Sequence, residues 1–140
     1  MADPILVADI GGTNVRFGLG TVPQEPVAKI LKYKISTFPN PETAVRKYFD
    51  DLGLTKAERV AIKKACFAAA GPVEDDVVSL TNGSWVIDKA HIAQTFDLEF
   101  KLINDFSGLA NAIPYLKENE LLKLGGGEPV EGSPKATFGP

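Results

Sequence analysis

Cysteine, histidine and tryptophan occur only once each in the chain, and each scarcity excludes a class of chemistry. The lone cysteine, Cys66, cannot close an internal disulfide. Its setting, Ala65-Cys66-Phe67-Ala68-Ala69-Ala70, is that of a buried, inert thiol rather than a nucleophile. The lone histidine, His91, has no Cys/His cluster around it, so a metal centre built from protein ligands is not expected. It lies at a polar position in Asp88-Lys89-Ala90-His91-Ile92-Ala93 and reads as a surface residue of a short helix. No apolar run approaches the ~20 residues of a membrane span, and no basic segment followed by an apolar run marks a signal peptide. An excess of basic residues is missing too. Lys and Arg total 15 against 18 Asp and Glu, a net charge of −3, so nothing points to nucleic acid or an anionic membrane as partner. A reduced, cytoplasmic setting is expected.

What is present suffices for one domain. The 140 residues are 44% hydrophobic and 24% charged, typical of a soluble globular chain with a core. Residues 4–9 read as a buried strand, with Ile5, Leu6, Val7 and Ala8 in a continuous apolar run. After Gly11-Gly12, strict alternation puts Val15, Phe17 and Leu19 on one side, which predicts a second strand. Residues 29–36 read as a third, after a loop around Pro23 and Pro26. The first helix is marked by Asn40 as cap, Pro41 in the first turn, Glu42 against the dipole and Gly53 as the stop. Val45, Tyr48, Phe49 and Leu52 recur at helical spacing along it.

A small-residue strand over 62–70 follows and ends at Gly71-Pro72; its short side chains allow a close neighbour. Residues 73–80 read as a hairpin around Glu74-Asp75-Asp76. Asp88 caps a helix to about Thr95. Residues 100–103 form a strand, and Asn104 or Asp105 opens a helix with Phe106, Leu109, Ala110 and Ile113 on one face. The order predicts an α/β fold: a mixed sheet with an antiparallel N-terminal meander and flanking helices. The domain is expected over 1–124. Residues 125–140 read as a hinge or linker followed by the truncated start of a second domain. The glycine-rich run over 125–127 leads there to Lys135-Ala136-Thr137-Phe138.

Two short segments carry chemistry. In Asp9-Ile10-Gly11-Gly12-Thr13-Asn14 the glycines free the backbone to approach phosphate oxygens, and Thr13 adds a hydroxyl. Asp9 would be repelled by phosphate directly, so its use is through Mg²⁺ or a metal-bound water. The absence of Gly-Lys-Ser/Thr excludes a P-loop. A strand after the turn, with the wrong glycine spacing, excludes a dinucleotide fingerprint. Alone, the turn also reads as a plain hairpin. In Leu102-Ile103-Asn104-Asp105 a carboxylate ends an apolar strand where a helix begins, the place where α/β sheets bind ligands. Asp105 there could orient a sugar hydroxyl and accept its proton during phosphoryl transfer. Asn104 could hold a neighbouring hydroxyl. Alone, the pair reads as a helix cap.

The set Asp9-Ile10-Gly11-Gly12-Thr13-Asn14-Val15-Arg16, Leu80-Thr81-Asn82-Gly83-Ser84-Trp85, Ile103-Asn104-Asp105-Phe106 and Gly125-Gly126-Gly127-Glu128-Pro129 resembles, in order and spacing, the bacterial-type glucokinase family, N-terminal domain only. The resemblance implies an actin-like ATPase (ribonuclease H-like) fold with glucose and ATP in an interdomain cleft. It implies transfer of the γ-phosphate to the glucose 6-hydroxyl with Mg²⁺. It makes Asp105 the catalytic base and Asn104 a sugar contact, both binding substrate. Ala8, Asp9, Ile10, Gly11, Gly12 and Thr13 become the phosphate-binding segment, with Asp9 reaching the metal through water. Gly71 and Pro72 become a loop beside the sugar. The family's second phosphate segment, its later glucose ligands and its adenosine site have no counterpart here, so these 140 residues alone are expected to lack activity. The exposed cleft face allows a homodimer. A kinase for another hexose or an amino sugar, a non-catalytic sugar-responsive module and a cytoskeletal ATPase share the fold. Trp85 reads as a loop anchor more readily than a sugar platform, and Arg16 as an exposed strand residue.

Overall fold

The computed structural model describes residues 3–21, 25–81, 84–117 and 131–132. The expected linker and incipient strand over 125–140 lie outside the described residues apart from 131–132, as does the Asn82-Gly83 pair.

Three parallel strands and two antiparallel ones form a five-stranded mixed sheet in the order β3-β2-β1-β4-β7. Its members are β1 (Ile5–Ile10), β2 (Asn14–Gly20), β3 (Ala28–Lys34), β4 (Lys64–Ala69) and β7 (Glu99–Asn104). The meander is as expected: β1 pairs antiparallel with β2, and β2 with β3. The chain then crosses back so that β4 lies parallel to β1 and β7 parallel to β4.

Register explains the core. Ala8 of β1 stands between Phe17 of β2 and Phe67 of β4. Its short side chain lets the two rings meet across it, with centroids 5.9 Å apart. Phe67 continues to Phe100 at 4.8 Å, edge to face, an arrangement worth about 1 kcal/mol beyond burial. On this face Leu6, Ile10, Val15 and Ala69 are also buried. It is covered by helix α1 (Pro41–Asp51), which brings Val45, Tyr48 and Phe49, and by α3 (Lys89–Phe96), which brings Ile92. Tyr48 stacks against Phe17 at 5.4 Å and donates its hydroxyl to the Lys29 carbonyl at 2.8 Å.

The first helix starts as its sequence dictates. Asn40 Oδ1 accepts from the Thr43 amide, Pro41 opens the first turn, and Gly53 follows the end at φ +66°. Glu42 is nearly buried and lies 2.8 Å from His91 Nδ1, so the exposed histidine ties α3 to α1. Trp85 is an anchor: it is 1% exposed, and its indole donates to the Phe38 carbonyl at 2.9 Å.

Four expectations need correction. The residues after β3 do not extend the strand to Ser36; Ile35–Thr37 forms a 3-10 turn whose Ile35 side chain drops into the core. A short helix, α2 (Lys56–Ala61), stands between α1 and β4, where no element is expected. Thr55 and Glu58 cap it reciprocally, a signature visible as Thr-x-x-Glu. The acidic turn exists, with Asp75 and Asp76 both at positive φ. However, β5 (Val77–Ser79) pairs with β6 (Val86–Asp88) rather than with residues before the turn. Only the single bridge Glu74–Val77 closes the turn itself.

Last, α4 (Asp105–Ala112) does not bury its apolar stripe. Phe106 and Leu109 are about half exposed. The contact with the sheet is made through Gly108, where an added Cβ would sit 3.4 Å from Ala68 Cβ and Ile103 Cδ1. The small residues of β4 do admit a close neighbour, and that neighbour is this glycine.

Candidate active site at the carboxyl ends of the parallel strands

The parallel strands β1, β4 and β7 end together. Ile10 pairs with Ala69, and Ala69 with Asn104. With neighbouring strands ~4.8 Å apart, the three ends span about 10 Å. The segments that leave them are the Gly11-Gly12 turn, the Gly71-Pro72 loop and the start of α4. The residues singled out in the sequence are therefore brought to one sheet edge.

At the first end, alternation along β1 sends Ala8 and Ile10 into the core, 7% and 0% exposed. They offer a ligand only backbone. Asp9 points to the opposite, open face. Its carboxylate lies 3.6 Å from Arg16 on the register-paired position of β2, and both side chains are more than half exposed. An exposed pair of this kind adds little stability.

Gly11 and Gly12 do not adopt positive φ, so the expected backbone freedom is not what the turn uses. The Gly11 amide donates to the Asn14 carbonyl at 2.9 Å and closes the turn. That leaves Gly12 and Thr13, whose amides donate to no partner among the described residues, with Thr13 exposed at the tip. An anion at this turn would meet those two donors and the Thr13 hydroxyl, not the Gly11 amide.

At the other two ends a single side chain joins the loops. Asn104 Nδ2 donates to the Gly71 carbonyl at 2.8 Å, and its Oδ1 accepts from the Phe106 amide at 2.9 Å. Asp105 Oδ1 accepts from the same amide at 2.9 Å, so one carboxylate oxygen is fixed at the helix start and the other has no partner among the described residues. Asn104 thus ties the β4 loop to the α4 start, the turn that also holds Asp105. The sequence marks Asn104 as a residue of interest, but nothing in it signals this bond. Gly71 has φ +154°, and a Cβ there would lie 3.3 Å from Val78 Cγ1, so the loop requires glycine.

Cys66 lies on the open face and is half-buried. Burial pushes its thiol up, which keeps it protonated and unreactive.

The glucokinase family profile matches residues 6–140. The chain belongs to the glucokinase family. It is 37% identical over 136 residues to the glucokinase of Pectobacterium atrosepticum, covering 96% of this chain and 40% of that protein. The crystal structure of a glucokinase from an Antarctic psychrotroph superposes with a TM-score of 0.81 at 35% identity, over 95% of this chain and 42% of that one. A more distant structure, a ROK family glucokinase from Streptomyces griseus in complex with glucose and AMPPNP, is 20% identical. It covers 76% of this chain and 35% of the other at a TM-score of 0.55 and shares the fold. The fold is that of the actin-like ATPases. The chain spans about two-fifths of the length of the curated relatives it matches.

Among the described residues no group of three or more His, Cys, Asp or Glu could hold a metal ion by itself. Asp9 is an exposed carboxylate two residues before the turn's Gly11. No helix among the described residues is long and apolar enough to cross a membrane.

Proposed function

We propose that this chain is the N-terminal part of a cytoplasmic glucokinase. In this reading the γ-phosphate of ATP passes to the 6-hydroxyl of glucose, the entry step of glucose breakdown. The observation that carries the reading is the register of three strand ends, which sets the Asp9–Thr13 turn and Asp105 on one edge with Gly71 between them.

Phosphoryl transfer asks mainly for positioning and charge stabilisation. Asp105 orients the sugar hydroxyl through its unengaged oxygen and takes its proton as the new O–P bond forms and the bond from the γ-phosphorus to ADP breaks, with ADP leaving. Asn104 is a positioning residue that ties the Gly71 loop to the start of α4 beside Asp105 in sequence; its second amide hydrogen is available to a sugar hydroxyl. The amides of Gly12 and Thr13 and the Thr13 hydroxyl bind phosphate oxygens. Asp9 is the residue that would hold Mg²⁺, which would neutralise charge on the phosphates when bound. Ala8, Ile10 and Gly11 shape this segment through their backbone. The relatives contain a further three-fifths of sequence, so the 140 residues alone carry one side of the cleft and are inactive in this reading.

The test is a chimera in which this chain replaces the matching segment of the Pectobacterium atrosepticum glucokinase. ATP-dependent glucose phosphorylation is expected, falling about 10³-fold in Asp105→Asn, the range for loss of a general base. A folded chimera without hexose kinase activity, or one indifferent to Asp105→Asn, overturns the assignment.

A further inference from the structure

A second cavity lies at the other end of the molecule. It measures about 340 Å³ and is walled by Arg46 and Phe49 of α1, Lys56 and Arg59 of α2, and Phe96 at the end of α3. Its base is formed by Ile62 and Leu98, the residues that lead into β4 and β7. Asp105 and Gly71 leave the opposite ends of those strands. Six strand residues at ~3.3 Å each put the cavity roughly 20 Å or more from the candidate active site. No residue of the phosphoryl-transfer reading borders it.

Its chemistry is specific. Three cations converge in a chain whose net charge is −3. Arg59 is held in place: Nε donates to the Leu54 carbonyl at 3.0 Å, a terminal nitrogen meets Asp50 at 2.7 Å, and the guanidinium stands 5.9 Å over the Phe49 ring. Arg46 stands 5.3 Å over the Phe96 ring. Neither Arg46 nor Lys56 has a carboxylate partner among the described residues. The two rings meet edge to face at 6.2 Å, and the exposed Val60 side chain extends the apolar wall. Two uncompensated cations beside an aromatic wall, in a cavity of ligand size, form a receptor for an anionic group carried on a flat apolar body.

We propose that this cavity is a second ligand site, taking a small aromatic phosphate or carboxylate remote from the reaction centre. The anion pairs with Arg46 and Lys56, and the ring stacks between the guanidinium groups and Val60.

The test is an amide-resolved NMR titration of the 140-residue chain with phenyl phosphate, and separately with inorganic phosphate. Phenyl phosphate is expected to shift the amides of Arg59, Thr95, Phe96 and Leu98 saturably, and to bind more tightly than inorganic phosphate. The double variant Arg46→Gln, Lys56→Gln should weaken it by about tenfold or more, as for loss of charge-assisted contacts. Both side chains are exposed, so the variant's spectrum should otherwise match the wild type. Asp105→Asn should leave binding unchanged. Absence of saturation, equal affinity in the double variant, or shifts confined to residues 11–13 would each overturn the proposal.

Discussion

At the residue scale, the side chain whose meaning changed most between sequence and structure is Asn104. Beside an aspartate at a strand end it reads as a cap or a sugar contact. In the fold its amide bridges the Gly71 carbonyl and the Phe106 amide, two groups that only the tertiary arrangement brings together. Replacing it by alanine leaves both without that partner in a half-buried site. Asn104→Ala is therefore expected to cost about 1–2 kcal/mol in urea denaturation. A variant as stable as wild type would show that the bridge is not maintained in solution. Trp85 was legible in outline because size and apolar neighbours predict burial, whereas Cys66, expected in the core for the same reason, is half-buried because alternation along β4 turns it to the open face. The Trp85 partner, the Phe38 carbonyl, lies 47 positions away and leaves no local trace.

At the element scale, the first helix and α3 were readable because their caps are local. Asn40, Pro41, Gly53 and Asp88 each act within a turn of their own position. The capping box of α2 is equally local, and Thr55 and Glu58 carry its signal in the sequence. Helix α4 is different. Its apolar stripe suggests that Phe106 and Leu109 face the sheet, whereas Gly108 does. Alanine at 108 places one methyl at contact distance and gains helix propensity. Valine adds γ-methyls where Ala68 and Ile103 already touch. Gly108→Ala should be within about 1 kcal/mol of wild type, and Gly108→Val should lose about 1–3 kcal/mol. Equal thermal midpoints for the two variants would refute the close approach of α4 to β4.

At the scale of the whole molecule, two buried or half-buried phenols give the fold an alkaline limit. Burial pushes Tyr48 up to about 12 from 10.0. Tyr33 is raised as well, by burial first and then by its hydrogen bond to Asp51. The folded chain thus holds these protons more tightly than the unfolded one. The associated stability is complete below about pH 10 and is lost as pH rises from there through about 12. Urea midpoints measured between about pH 9 and about pH 11.5 should fall over that window, and Tyr48→Phe should flatten the decline. A midpoint constant to the upper limit would contradict the burial of Tyr48.

By itself the sequence determined the α/β class, the antiparallel opening meander, most element positions and the family, because periodicity, caps and short motifs act over a few residues. It also picked out Asp9, Asn104 and Asp105 as the polar residues at strand ends. Only the tertiary structure decided that the ends of β1, β4 and β7 share one edge, since parallel pairing joins residues separated by the intervening helices and strands. It decided too that the Gly11 amide closes its own turn, that α4 turns a glycine to the sheet, and that β5 pairs with β6. Long-range hydrogen bonding and close packing depend on which surfaces meet, and that is a property of the folded chain rather than of any stretch of it.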